Sequence, residues 1–359
     1  MDASTFGFSA DDIGDYMIDV LAEYNRKLSD IEFLTGDNCA VNQSLAEKIT
    51  RHLRDASFGS YIVPLVGCAS HRLNLAVQMF YEDPTSKYYS LVNKVSALMV
   101  ELRTLKSRYK LASRTKLSPI KRNDTRWGSV YSMLRRYLEL HDILLTCSFP
   151  RSFLHLIPTA AEKDEIQELT EKLKNCEEAS VFLQQQDPVK VSLELVRAAF
   201  DTLIADYPFM KRYLSSTADI VHDKAFESAV VKIQRGAENT LNAAEKKSVA
   251  RFKIDVTAQS NDSSEEASYM DKIRASGSAK IAKKSNYACL NHVSATSNVV
   301  ERLFSRAKLV MTDQRRSMDP STLEAILMLR YNHDIWDVYL LDSLVQKLNA
   351  SSTFYSFPR

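Results

Sequence analysis

The chain has 359 residues, 45% of them apolar and 26% charged, enough for two domains and a large core. A formal net charge of +2 gives no global attraction to a polyanion, so any nucleic-acid argument must come from local patches. No apolar run is long enough to cross a bilayer, so no membrane partner is expected, and the acidic opening MDASTFGFSADDIGDYM lacks the basic-then-apolar order of a signal peptide.

Thr5 to Phe8 carries the pattern of a strand remnant. Asp11 to Leu28 predicts a helix, with Ile13, Met17, Val20, Leu21 and Tyr24 near one face. Ile31 to Leu34 predicts the end of a short buried strand, and Leu45 to Leu53 a helix with Leu45, Ile49 and Leu53 aligned. Tyr61 to Val66 predicts a second strand, where Pro64 suggests an edge or bulge. Ser70 to Tyr81 is helical again, and strands separated by helices imply α/β architecture. From about Ser86 the pattern is helical almost throughout, over Tyr89 to Tyr109, Trp127 to Leu145, Asp164 to Gln186 and Val189 to Tyr213. Thr257 to Lys280 is polar and Ser-rich, the composition of a mobile loop or linker. Val299 to Leu348 returns to helix. One apolar face there carries Val300, Leu303, Phe304, Ala307 and Val310, and the next Leu323, Ile326, Leu327 and Tyr331. A third carries Leu340, Leu341, Leu344 and Leu348. A total of 8 glycines suits a helix-rich chain, and 5 scattered cysteines suit a reducing compartment better than a disulfide framework.

In FLTGDNCAVN, Asp37 and Asn38 sit between a strand and a helix. That is the edge where open α/β sheets bind ligands, so a carboxylate there suits a metal. It equally suits a helix cap, the commoner use of Asp and Asn. Cys68 and His71, in GCASHRLNLAV, have the spacing of half a zinc site without a second pair nearby. The alternatives are a packed thiol beside a helix-start histidine, or a His71 serving the same strand edge as Asp37. Nine basic residues, Arg103, Lys106, Arg108, Lys110, Arg114, Lys116, Lys121, Arg122 and Arg126, are opposed by Asp124 alone, a density that suits phosphate contact. Trp127 suits either stacking on an exposed base or burial in the core. Glu301, in NVVERLFS, suits solvent as well as a site, and Arg302 and Arg306 suit acids or phosphates.

Four ordered segments together resemble the hAT superfamily of DNA transposases. They are FLTGDNCAVN, GCASHRLNLAV, DTRWGSVYSMLRR and SNVVERLFSRAKLVMTDQRRSMDPSTLEAILMLRYN. The resemblance spans roughly Phe6 to Asn332, with the helical middle matching by character only. It implies a ribonuclease-H-like α/β fold interrupted by a large all-α insertion, predominantly helical overall. Under it, residues 1–145 are a partial catalytic core lacking its first strands, and 146–285 are the helical insertion ending in the Ser-rich loop. Residues 286–359 are the return of the core with a dimerisation region. Asp37 and Glu301 fall on the second and third acids of the family's catalytic triad, which holds Mg²⁺ or Mn²⁺ for two-metal phosphoryl transfer. Cys68 and His71 match its Cys-x-x-His motif, and Trp127 its tryptophan associated with a flipped base. With Arg122 and Arg126 these form the expected DNA-contacting set. Val300, Leu303, Phe304, Leu323, Ile326 and Leu327 are the expected dimerisation residues.

The pattern departs from the family at its start. Asp2, Asp11, Asp12 and Asp15 lack a first-strand context for the first acid, and no zinc-finger domain precedes them. The sequence thus resembles a transposase that begins partway through its catalytic domain, with sheet edges left open. The leading expectation is a transposase-derived protein, catalytically incomplete, that self-associates as a homo-oligomer and contacts DNA. One alternative is an active nuclease in which Asp11 or Asp12 replaces the first acid. Another is a module that heterodimerises with an intact transposase. The resemblance implies a nuclear protein, and otherwise a cytoplasmic one.

Overall fold

The computed structural model describes residues 9–56, 62–123, 127–185, 191–254, 285–312 and 315–352. The expected strand at Thr5 to Phe8 and the Ser-rich segment Thr257 to Lys280 lie outside them. The described chain is predominantly helical, with a two-stranded parallel sheet, and it divides into two compact units, Met1–Ser297 and Asn298–Arg359.

In the larger unit, helix α1 (Ala10–Glu23) starts at a capping box between Ser9 and Asp12. It stops short of the predicted Leu28 because Asn25 adopts φ 53°. Arg26 N–H then reaches Leu21 O at 2.7 Å and Asn25 N–H reaches Ala22 O at 3.0 Å, the paired bonds of a Schellman ending. Strand β1 (Leu34–Gly36), helix α2 (Ala40–Asp55) and strand β2 (Leu65–Gly67) form a β-α-β unit. The strands run parallel in register, Leu34 beside Leu65 and Gly36 beside Gly67. The predicted stripe of Leu45, Ile49 and Leu53 is buried, and Ala10, Ile13 and Met17 of α1 pack on it.

The main core begins at Val66 and takes in helices α3 (Ala69–Gln78), α4 (Tyr89–Glu101), α5 (Leu105–Ala112) and α6 (Gly128–Thr146). It continues through the short α7 (Arg151–Leu154), the long α8 (Ala160–Leu183) and α9 (Leu193–Asp206). The short α10 (Lys211–Leu214), α11 (Lys224–Gln234) and α12 (Ala243–Ser248) follow. On α6, Val130, Met133, Leu134, Tyr137 and Leu144 are buried as the helical period requires, joined by Leu140 and His141, while Leu138 is half-buried. Two predicted helices are each divided. Pro208 ends the Val189 to Tyr213 run, since proline removes a donor and restricts the residue before it. The Tyr89 to Tyr109 run breaks after Glu101, and the reason is packing. Leu102 and Leu111 are both fully buried, yet nine residues along an unbroken helix would put them on opposite faces.

The free edge of β2, expected to be open, is covered. On β2, Leu65 N–H donates to Asp223 Oδ2 at 2.7 Å and Gly67 N–H to Glu227 Oε1 at 3.3 Å, both acids coming from the start of α11. Glu227 in turn meets the Arg72 guanidinium at 3.3 Å, while Arg72 Nε and Nη2 donate to the carbonyls of Tyr213, Leu214 and Ser215. Burial pushes the Glu227 and Asp223 carboxyls up, and Arg72 pulls Glu227 back toward its charged form. Beside β1, the Thr35 hydroxyl donates to Ser294 O at 3.2 Å and the Glu32 carboxylate lies 2.7 Å from His292 Nε2. A side-chain carboxylate thus stands where a neighbouring strand's carbonyls would otherwise satisfy the edge.

The smaller unit has three described helices, Asn298–Val310, Pro320–Tyr331 and Val338–Ser352. Asp319 caps the second, with Pro320 at its first position. The first two meet where Arg306 lies 5.7 Å from the Tyr331 ring centre, and Trp336 Nε1 donates to Leu329 O at 2.8 Å.

Candidate functional site

The parallel register puts Asp37, after Gly36, and Cys68, after Gly67, side by side at the carboxyl edge of the sheet. Cys68 N–H donates to Gly36 O at 2.7 Å, closing that edge. Both strand-end glycines are needed for close approach. A Cβ on Gly36 would stand 2.8 Å from Asn42 Nδ2, and one on Gly67 would stand 2.7 Å from Asn38 Nδ2. The Asn38 amide is itself held, donating through Nδ2 to Ile220 O.

Asp37 is exposed and serves the turn into α2. Its Oδ1 accepts the Cys39 N–H at 3.3 Å and the Asn42 amide at 2.7 Å. Of the two uses expected for this residue, these contacts are those of the helix-start use. It organises the helix start, though the N-cap position itself belongs to Cys39, two residues on. Hydrogen bonding from Cys39 holds its carboxyl below the usual carboxylate range against a partial burial that raises it, and the charge of His71 and the Asn42 amide lower it further. His71 thus lies at the same edge as Asp37. Cys68 is a buried thiol at the N-cap of α3, its Sγ accepting Ser297 N–H at 3.4 Å, so the packed-thiol alternative describes its surroundings.

Because the carboxyl is depressed, the stability it supplies is present above the ordinary carboxylate midpoint and drains as pH falls through its own lower one. Asn42→Ala and His71→Ala are each expected to move the Asp37 midpoint back up, read by carboxyl-carbon NMR titration. An unmoved midpoint in both would contradict the hydrogen-bond and charge origin of the shift.

The alternative first acids are engaged on α1, where Asp12 completes the capping box with Ser9 and Asp11 pairs with Lys48. Neither lies on a strand. Among the described residues no three His, Cys, Asp or Glu side chains gather as metal ligands. A pair of hard cations needs more carboxylate oxygens than Asp37 supplies. Glu301 belongs to the smaller unit, exposed on its first helix. Within the larger unit Asp37 alone does not supply the oxygen set of a two-metal centre, and no metal-dependent step is assigned to it.

Of the expected DNA-contacting set, Trp127 is 5% exposed and packs in the main core, its backbone N–H donating to Asn74 Oδ1 at 3.2 Å. A base could stack on this ring only if the ring left the core. Arg122 is half-buried, donating to Asn93 Oδ1 at 3.3 Å and lying 3.8 Å from Glu82. Arg126 and Asp124 lie outside the described residues. Arg103, Lys106, Arg108, Lys110, Arg114, Lys116 and Lys121 are all exposed.

Of the expected dimerisation residues, Val300 and Phe304 are exposed, and Leu303, Leu323, Ile326 and Leu327 are half-buried. Reasoning from sequence missed Ile335, Val338 and Tyr339, which are exposed at 73%, 74% and 85%. It also missed the Arg72, Asp223 and Glu227 cluster. Its one trace in the sequence is the pair of acids four apart in DKAFE, a spacing equally common on a solvated helix face.

No protein-family model matches the chain, and no curated protein matches it.

Proposed function

We propose that the chain is a hAT-transposase-derived protein that works by self-association through residues 298–352 and by DNA contact through residues 103–126, without strand cleavage of its own. The observation that carries this reading is the distribution of exposed apolar surface. Among the described residues, 13 of the 28 exposed large hydrophobic side chains belong to the unit Asn298–Arg359. Apolar surface concentrated in this way is characteristic of faces that a partner covers. The parallel β-α-β unit with Asp37 at its carboxyl edge supports reading this part as a piece of a ribonuclease-H-like core. The commitment of Asp37 to Cys39 and Asn42 supports a structural use for what the resemblance makes a catalytic position.

Light scattering at micromolar concentration tests the self-association. The expected mass is roughly twice the 40.7 kDa of the chain or a higher multiple, and a clean monomer would refute the proposal. Incubation of nicked and branched DNA with Mn²⁺ tests the rest. Retarded but intact DNA is the expected result, and cleavage abolished by both Asp37→Asn and Glu301→Gln would overturn the non-catalytic part.

A further inference from the structure

The basic stretch presents more than charge. Helix α5 buries Ser107 and Leu111 and turns Leu105 and Tyr109, one helical turn apart, outward at 88% and 80% exposure. Both side chains are as open as any large hydrophobic residue of the larger unit, and a monomer gains nothing by displaying them. Along the same stretch Arg103, Lys106, Arg108, Arg114, Lys116 and Lys121 are exposed and have no acidic partner among the described residues. From Arg103 to Asn123 the sequence contains no acid at all. Lys110 has been drawn aside, donating to Ser148 O at 2.6 Å.

An aromatic and an aliphatic side chain exposed on the same stretch as unpaired cations fit a ligand that alternates flat apolar groups with phosphates. Duplex DNA hides its base faces within the stack, whereas an unpaired strand offers a face at every nucleotide. The geometry points to residues 103–121 as a path for single-stranded nucleic acid, with Tyr109 as a base-stacking residue and the six free cations tracking the backbone. This inference rests on the DNA-contact reading above and sharpens it. It moves the stacking role from the buried Trp127 to an aromatic ring that is already in solvent.

Fluorescence anisotropy on the full chain tests it, using a labelled 20-nucleotide dT strand, a duplex of the same length, and phosphatidylserine vesicles as a competing anionic surface. The dT strand is expected to bind more tightly than the duplex, with a log–log salt slope of about −4 for six phosphates neutralised and their counterions released. Tyr109→Ala should weaken the dT complex about tenfold and leave the duplex complex unchanged, while Tyr109→Phe keeps the native affinity. Since Tyr109 is exposed, circular dichroism of both variants should match the parent. Arg108→Ala should weaken strand and duplex alike. Duplex binding with dT affinity indifferent to Tyr109→Ala would overturn this inference and leave the DNA reading standing. Absence of binding to either DNA would overturn both. Binding to vesicles alone would make the surface a lipid face and overturn both as well.

Discussion

Glu227→Ala is expected to lower the unfolding free energy by about 3–5 kcal/mol, the usual cost of removing one member of a buried ion pair. Arg72 is 4% exposed, and its guanidinium is surrounded by the carbonyls of Tyr213, Leu214 and Ser215 and by the Phe200 ring, 5.4 Å away. Carbonyl dipoles solvate the charge but do not neutralise it, so removal of Glu227 strands a cation in the core. The same change orphans Gly67 N–H at the edge of β2. Asp223→Ala removes the acceptor for Leu65 N–H and no countercharge, so its cost should be smaller, about 1–3 kcal/mol. Glu227→Gln should fall between wild type and alanine, keeping an acceptor but not the charge. Combining it with Arg72→Met should recover much of the loss, because replacing both members of a buried pair is often near neutral. Urea titration in a Trp336→Phe background would read all four through Trp127, which lies in the same core. A Glu227→Ala midpoint indistinguishable from wild type would show that the edge of β2 is satisfied by something else.

That cluster marks where legibility in the sequence ends. The α2 face of Leu45, Ile49 and Leu53 and most of the α6 stripe follow from local period and were readable, whereas the stop at Pro208, which local sterics impose, was passed over in a run drawn from Val189 to Tyr213. That Asp37 and His71 share one edge was readable too, because a β-α-β unit with parallel strands puts both strand ends there. The capping of β2 by α11 was not. Its partners are roughly 160 residues apart, and Asp and Glu at helical spacing carry no mark of whether they face water or a strand edge. The break between α4 and α5 contains neither glycine nor proline. It is imposed by the need to bury Leu102 and Leu111 together, which only the folded core reveals. Trp127 illustrates the reverse difficulty. Two uses were open for it, and its position at 5% exposure fits the burial that most tryptophans adopt.

Phe304→Asp combined with Tyr339→Asp is expected to convert the assembled protein to monomer at micromolar concentration. Phe304 is 67% and Tyr339 85% exposed in the isolated chain, so each has most of its apolar area still to bury against a partner. Full burial of such a side chain contributes about 1.5–3 kcal/mol, and tenfold in affinity corresponds to about 1.4 kcal/mol. Loss of both therefore predicts a dissociation constant raised about 100-fold or more, before adding the cost of pressing a carboxylate into an apolar face. Two controls separate this from a general effect of added charge. Leu154→Asp and Val181→Asp alter residues that are 50% and 57% exposed on the larger unit, and neither should change the mass. The thermal transition of the larger unit, followed through Trp127, should be the same in all three variants, since none of the altered side chains is buried in its core. An assembly that survives the double substitution but dissolves with Leu154→Asp or Val181→Asp would place the contact on the larger unit. The apolar faces of residues 298–352 would then have to be explained by packing within one chain.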